Sequence, residues 1–360
     1  MTTIALQRPR LEARGVALAM KLLPLAALIV SLGAGVLLIA STGVPLARAL
    51  EAFWDGIAAS DYALVGSLLR AVPLALVGLG FMLAERANLT NVGGEGQICI
   101  GGLFSTATAL YGGADHLPGP LAWLYPLVAG TIAGAVWGAI AGGLKARRGS
   151  NEVITTLLLT FIALPMVYGS VQTEALLRQP KTSASTLPES LEIPASTQLP
   201  QLISGSSLPL HIGVLIVLLA SIAIWLVLKR SALGLRFLAV GQNSVASRRA
   251  GLPVNAIIIA ALAASGALGG LAGAIMIQGD QHYLTAGFSS GFGEAGLVVG
   301  LLSRGSPIAA LGFALLFGCL RSGGLAMEMS AAVPSAIVVV CQGLIVIATA
   351  AAAALSARRA

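Results

Sequence analysis

The chain has 360 residues, 57% of them hydrophobic and 10% charged, with a mean hydropathy of +0.91. A soluble domain carries roughly 25% charged residues, so a soluble globular fold is excluded in favour of an all-α polytopic membrane protein. The formal net charge of +7 would suggest nucleic acid in a soluble protein. Here the basic residues flank apolar runs, and the positive-inside rule accounts for them.

A membrane-crossing helix needs about 20 apolar residues, and ten segments qualify in outline. The N-terminus is basic (Arg8, Arg10, Arg14, Lys21) and leads into a first span at 17–40. Its apolar run, Leu22 to Ala40, exceeds the roughly 7–15 residues of a signal-peptide core. Small residues at Ala47-Arg48-Ala49 keep cleavage open as the alternative. A connecting segment, 42–62, carries Trp54, Asp55, Asp61 and Tyr62, which suit a membrane interface. Spans then fall at 63–83, with Arg70 inside, at 96–112, short and glycine-rich, at 121–143, and at 151–170 after the basic turn Lys145-Ala146-Arg147-Arg148-Gly149. A polar outer stretch, 171–208, precedes spans at 209–228, 253–277, 291–303 (short again), 306–324 and 333–354. Between 229 and 252 lies a second basic segment with Lys229, Arg230, Arg236, Arg248 and Arg249.

Most of the 21 Lys and Arg residues fall on one side if both termini are cytoplasmic, which implies an even number of spans. The two short segments also allow eight full crossings plus two re-entrant pieces. The expected organisation is a cytoplasmic tail (1–16), one transmembrane domain (17–354) and a cytoplasmic tail (355–360). The three cysteines, Cys99, Cys319 and Cys341, lie in apolar segments without a CxxC pair and read as buried free thiols.

Gly94-Glu95-Gly96-Gln97-Ile98-Cys99-Ile100-Gly101 echoes Gly293-Glu294-Ala295-Gly296-Leu297-Val298-Val299-Gly300. Both octamers open a short span, and the two spans are five apart, so they cross in opposite directions. Paired short segments in two inverted halves point to a transport site. On this topology the first octamer starts at the cytoplasmic side and the second at the opposite face, suggesting two related gates or hinge points.

Glu95 and Glu294 each have two roles open: lining a pathway, or capping the helix they begin, where free N–H groups and the positive dipole end favour a carboxylate. Asn91 and Gln97 suit hydrogen bonds to a polar solute or to broken backbone. Asn151-Glu152 reads as a cap for its span. Arg70 and Gln342, within spans, should face the bundle interior. His116, His211 and His282 fall near outer ends without metal-ligand spacing, so surface or interfacial histidines and no metal site are expected. No Walker A sequence occurs, no cofactor is implied, and no Ser/His pairing recommends an intramembrane enzyme. Gly266, Gly269, Gly270 and Gly273 read as packing devices.

Several stretches in collinear order share one resemblance. They are Asn88-Leu89-Thr90-Asn91-Val92-Gly93-Gly94-Glu95-Gly96-Gln97, Asn151-Glu152-Val153-Ile154, Gly234-Leu235-Arg236, Ala239-Val240-Gly241-Gln242-Asn243 with Ala250-Gly251, Ser265-Gly266-Ala267-Leu268, Arg321-Ser322-Gly323-Gly324-Leu325-Ala326-Met327, Val333-Pro334-Ser335 and Gln342-Gly343-Leu344. Together, from about residue 65 to 350, they resemble the permease subunits of ABC importers for nucleosides and simple sugars, in the broader branched-chain amino acid and ribose permease superfamily. Two departures stand out. Thr90 precedes Asn91 where the family commonly has Phe, and Cys341 precedes Gln342 where an acidic residue is common.

The resemblance implies a permease in a bacterial inner membrane that pairs with a second, identical or similar permease around a central pathway. Two cytoplasmic ATPase subunits dock beneath, and a periplasmic or lipid-anchored binding protein delivers a small polar solute from above. The permease itself is then no enzyme. Asn91, Glu95, Gln97, Glu294, Gln342 and Arg70 become pathway candidates. The loop 229–252 becomes the coupling element, through Gly234, Arg236, Gly241, Asn243, Arg248 and Gly251. An ion-coupled secondary transporter with inverted repeats is the alternative that two glutamates leave open.

Overall fold

The computed structural model describes residues 29–31, 33–180, 187–203 and 208–357. The tail expected at 1–16, the opening of the first span up to 28, residues 181–186 and 204–207 of the outer stretch, and Arg358-Arg359 lie outside the described residues. The described chain is helical: α1 (Ile29–Ser41), α2 (Leu46–Ala58), α3 (Asp61–Arg86), α4 (Gly94–Tyr111), α5 (Pro120–Arg148), α6 (Glu152–Gln172), α7 (Gly213–Arg230), α8 (Ala232–Gln242), α9 (Ser244–Arg249), α10 (Val254–Met276), α11 (Phe292–Ser303), α12 (Pro307–Ala331) and α13 (Ala336–Ala357). Among the described residues no β-strand forms, only isolated bridges such as Arg178 with Ser190 and Gln201 with His211.

Six of these helices are long and apolar enough to cross a bilayer: α3, α5, α6, α7, α10 with its continuation to Gln281, and α12. The 12 residues of α11 rise only about 18 Å against a hydrocarbon core of about 30 Å. The segment 42–62 is more regular than an interfacial linker. It forms α2 and the start of α3, with Trp54 and Tyr62 exposed.

The chain divides into two compact units, Ser60–Cys319 and the flanking Met1–Ala59 with Leu320–Ala360. The core of the larger unit is the packing of α4, α5 and α10. Apolar helices in lipid gain little from hydrophobicity against one another, so close approach through small residues must hold them. Gly130, Gly134, Gly138 and Gly142 recur every four residues along α5; the first three meet Gly266 and Gly270 of α10, and Gly142 meets Ile259. A Cβ on Gly134 would stand 2.4 Å from the Gly266 carbonyl, and one on Gly138 would stand 2.2 Å from that of Leu262. On the α4 side, a Cβ on Gly273 would stand 2.1 Å from the Ile98 carbonyl. Only glycine admits these backbones to one another.

At its C-terminal end α10 widens into a π-helical turn, Ile277–Gln281. Gln278 there is fully buried and donates to the carbonyls of Trp123 (2.8 Å) and Thr197 (2.7 Å) while accepting from Ser105 Oγ. Residues 190–199 lie over this turn through backbone bonds from Ser190 to Leu284, Ile193 to His282 and Leu199 to Gln278. One polar residue at the end of an apolar span thus fastens a loop that composition alone leaves undefined. At the other end, the basic segment 229–252 forms α8 and α9 after α7 ends at Arg230.

In the smaller unit α2 and the end of α12 approach through glycine: Cβ atoms on Gly56 and Gly323 would meet Ala326 and Phe53. Arg48 donates to the Ser330 carbonyl, and Cys341 Sγ packs against Gly35.

Candidate functional site

The α3–α4 link and the first turn of α4 form a buried polar knot. Asn91 Oδ1 accepts from the Gly93 N–H (3.0 Å) and from Gln97 Nε2 (3.2 Å). Its Nδ2 donates to Gln97 Oε1 (3.0 Å) and to Ser265 Oγ of α10 (2.7 Å). All four hydrogen-bonding positions of the Asn91 amide are filled. Thr156 of α6 accepts from the Val92 N–H (3.1 Å), and Gly96 packs against the Thr160 backbone. Asn91 and Gln97 therefore satisfy the broken backbone and each other, the second of the two roles their sequence leaves open.

Glu95 sits in the first turn of α4, buried, yet caps a different helix. Its Oε1 accepts from the Gly291 N–H at 2.9 Å and its Oε2 from the Gly293 N–H at 2.6 Å. Gly291, the residue before α11, lies in the left-handed region (φ +73) and has no side chain to cap with. A Cβ on Gly293 would stand 2.0 Å from the Glu95 backbone nitrogen, so the two helix starts touch. Cys99 Sγ also meets Ser289 Oγ at 3.4 Å. Two positive helix ends converge on one carboxylate.

This corrects two expectations. Glu95 caps α11 rather than the helix it begins. The echoing octamers do not open at opposite faces, because their first residues are in contact. The topology count places the two starts on opposite membrane surfaces, whereas Gly94 and Glu95 at one start and Gly293 at the other are buried against each other. Glu294, one residue beyond Gly293, is exposed.

Arg70 is half-buried and lines a cavity of about 70 Å³ with His211, Asp280, Gln281 and Phe292. Gln342 belongs to the smaller unit and is buried, its Nε2 without a hydrogen-bond partner. Asn151 caps α6 by accepting from the Val153 N–H (2.9 Å), while Glu152 pairs with Lys145 and accepts from the Thr90 N–H. The Asn151-Glu152 expectation therefore holds, with an added tie to the knot.

The histidines divide. His116 is exposed, as expected. His211 is buried, contrary to expectation: the outer stretch and Gly279 enclose its ring, and Nδ1 accepts from the Gly213 N–H (3.1 Å). Burial, assisted by the charge of His282, pushes its pKa down to about 4. Among the described residues no group of three His, Cys, Asp or Glu gathers as a metal site.

The residues proposed for coupling split by position. Gly234 fits where a Cβ would stand 2.1 Å from the Val227 carbonyl, and Asn243 caps α9 through the Ala246 N–H. Gly241 presses α8 against Arg86, Ala87 and Asn88, directly before the knot. Arg236 and Arg248 are exposed, Arg248 donating to Asn255, and Gly251 turns the chain with φ +82. Sequence reasoning missed Ser265 as a polar partner, Thr156, Gly291, Gly293 and Gln278. The missing cap before α11 was the one legible sign of a long-range partner.

Comparison with known proteins agrees with this architecture. The family model described as the permease component of branched-chain amino acid transport systems matches residues 63–350. The chain is 34% identical to the guanosine ABC transporter permease protein NupP of Bacillus subtilis over 91% of its length and 92% of that protein. It is 33% identical to the glucose ABC transporter permease protein TsgB13 of Haloferax volcanii, over 80% of its length and 76% of that protein. It is 31% identical to the nucleoside ABC transporter permease protein NupB of Lactococcus lactis subsp. cremoris, over 78% of each. No solved structure gives a significant match. With its apolar helices and a match spanning most of its length, the chain belongs to the family of ABC transporter permease components, as a multi-pass membrane protein.

Proposed function

We propose that the chain is the permease subunit of a binding-protein-dependent ABC importer that moves a neutral polar solute, a nucleoside or simple sugar. The observation that carries this is the Glu95 junction in a chain related along its length to guanosine, nucleoside and glucose permeases. Half-helix N-termini often face the anionic group of a substrate. Here Glu95 already compensates two such ends, so the centre does not call for an anionic solute.

In this reading both termini are cytoplasmic, the ten segments comprise full crossings plus the short α4 and α11, and the two halves are inverted repeats whose short helices meet at their starts. The basic ends of α3, α5 and α7 and the basic residues of α8–α9 support that orientation. A second permease completes the pathway, with Glu294 and Arg70 as its polar candidates in the larger unit. Residues 187–203 of the outer stretch offer the surface for the binding protein.

The exposed Leu233, Leu235 and Val245 of α8–α9 suit docking on a cytoplasmic ATPase, beside Arg236 and Arg248. Force then has a short route. Motion of α8 reaches Arg86–Asn88 through Gly241, passes along Leu89–Asn91 to the start of α4, and arrives at Glu95 and α11. The route is physical continuity, and mutational coupling must test it.

Reconstitution with the partner permease and ATPase provides the test. Solute-loaded binding protein should stimulate ATP hydrolysis and drive uptake into vesicles. Uptake that continues without ATPase and collapses with an uncoupler would overturn the assignment.

A further inference from the structure

A second cavity, of about 440 Å³, lies away from the Glu95 junction. Met82, Glu85 and Arg86 of α3, Trp225, Leu228 and Lys229 of α7, Leu238 of α8, Leu301 of α11 and the Arg304–Pro307 link line it. The volume falls within the roughly 300–1,000 Å³ of small-ligand pockets. Three cationic side chains, Arg86, Lys229 and Arg304, face one carboxylate, Glu85. None of the four forms an ion pair within the described residues. Arg86 Nε is shielded from solvent and has no hydrogen-bond partner, a donor left for something else to satisfy. Arg304 holds a left-handed conformation (φ 48) at the turn that brings it to the rim.

The rest of the lining is apolar: Met82 and Leu228 are buried, while Trp225 and Leu301 are exposed. Arg230 adds its guanidinium 5.8 Å from the Trp225 ring centroid. A cationic head region beside an apolar lining with an exposed tryptophan fits a molecule that is anionic at one end and hydrocarbon at the other. A free anion or an acidic side chain would use only the head region. Basic pockets between membrane helices on the cytoplasmic side suit anionic headgroups.

We propose that this pocket binds the phosphate of an anionic phospholipid from the cytoplasmic leaflet, its acyl chain lying along Trp225 and Leu301. The assignment rests on the orientation proposed above. Through Leu238 the bound lipid would brace α8 against α3, next to the Gly241 contact.

The test weighs the purified full chain in detergent by native mass spectrometry during titration with phosphatidylglycerol or phosphatidylcholine. Phosphatidylglycerol should bind preferentially. The K229Q/R304Q variant should weaken it about fivefold for each cation removed, leaving phosphatidylcholine unchanged, whereas K229R/R304K should retain it. Equal affinity for the two lipids in the unaltered chain overturns the proposal, and this comparison stands even if the double variant fails to fold. Displacement by millimolar inorganic phosphate would mark a free-anion site, and displacement by purified ATPase a protein interface; either overturns it. Because the chain is weighed alone, failure of ATP-driven uptake would leave this readout intact.

Discussion

Glu95→Gln is the substitution that most directly questions the junction. In the native chain the two carboxylate oxygens accept separately from Gly291 and Gly293. A glutamine keeps one acceptor and turns a donor toward the other N–H. One charge-assisted bond, worth roughly 1.5–3 kcal/mol, becomes a buried unpaired donor, which itself costs roughly 1–3 kcal/mol. Loss of the charge at two helix starts removes a further 0.3–1 kcal/mol or so at each. Partial relaxation of the α11 start offsets some of this. A net loss of about 3 kcal/mol is expected, which is about a hundredfold or more in the equilibrium between the closed and parted junction.

Two measurements together decide the matter. Thermal unfolding of E95Q should shift down, and uptake in the reconstituted transporter should fall in maximal rate with little change in the solute concentration for half-maximal uptake. E95D keeps the charge but loses the reach to span both N–H groups, and should fall between. A fold-neutral E95Q with a rate unchanged and a raised half-maximal concentration would refute the reasoning, because that is the signature of a carboxylate holding solute and not α11.

Four further outcomes follow from the same geometry. Gly293→Ala should be at least as damaging as E95Q, because its Cβ meets the Glu95 backbone at 2.0 Å; overpacking of this kind costs roughly 1–3 kcal/mol or more, read as a lowered melting temperature. Asn91→Leu strands the Gly93 N–H, Gln97 and Ser265 Oγ and should lower stability by about 2–3 kcal/mol by denaturant titration, with Asn91→Ser milder. Gly241→Val should leave the chain inserted but uncouple hydrolysis from uptake, measured as ATPase activity that no longer responds to loaded binding protein. For His211, whose pKa falls from an ordinary 6.5 to about 4, burial favours the neutral ring. The stabilisation is fully present above pH 6.5 and is lost as pH falls through 4, with a ceiling of about 3 kcal/mol. Hydrogen exchange across 190–199 and 277–284, corrected for intrinsic rates, should lose protection at pH 4.5 relative to pH 7.5.

The sequence carried the membrane class, the short glycine-rich segments and the residues of the knot, because a buried amide, carboxylate or arginine in an apolar run has few uses. It did not carry the partners. The N–H groups that Glu95 accepts belong to residues almost two hundred positions away, and backbone donors leave no mark in composition. His211 differs from its sequence reading for a related reason: a histidine near the end of an apolar run looks interfacial, and only the fold of 190–203 over the π-helical turn buries it. The α5 glycines were legible in principle, since Gly130, Gly134, Gly138 and Gly142 keep a four-residue spacing. Their partners on α10 required the structure.

The strength of the junction is itself an argument about its use. Had α11 begun with its own serine or aspartate cap, its start would be satisfied wherever the helix moved. The chain instead places glycines at 291 and 293 and takes the cap from α4, so parting the two helices exposes both N–H groups and the carboxylate at once. A few kcal/mol holds one arrangement firmly, and in the proposed coupling the motion arriving through Gly241 and the Asn91 knot has to oppose that much. Restoring a local cap separates these roles. Gly291→Asn tolerates the left-handed backbone and offers its own side-chain acceptor. It should keep the fold while loosening the dependence on Glu95, so E95Q should cost less uptake in that background than alone. Strict additivity of the two substitutions in a double-mutant cycle would show that the Glu95 carboxylate does not act through the start of α11.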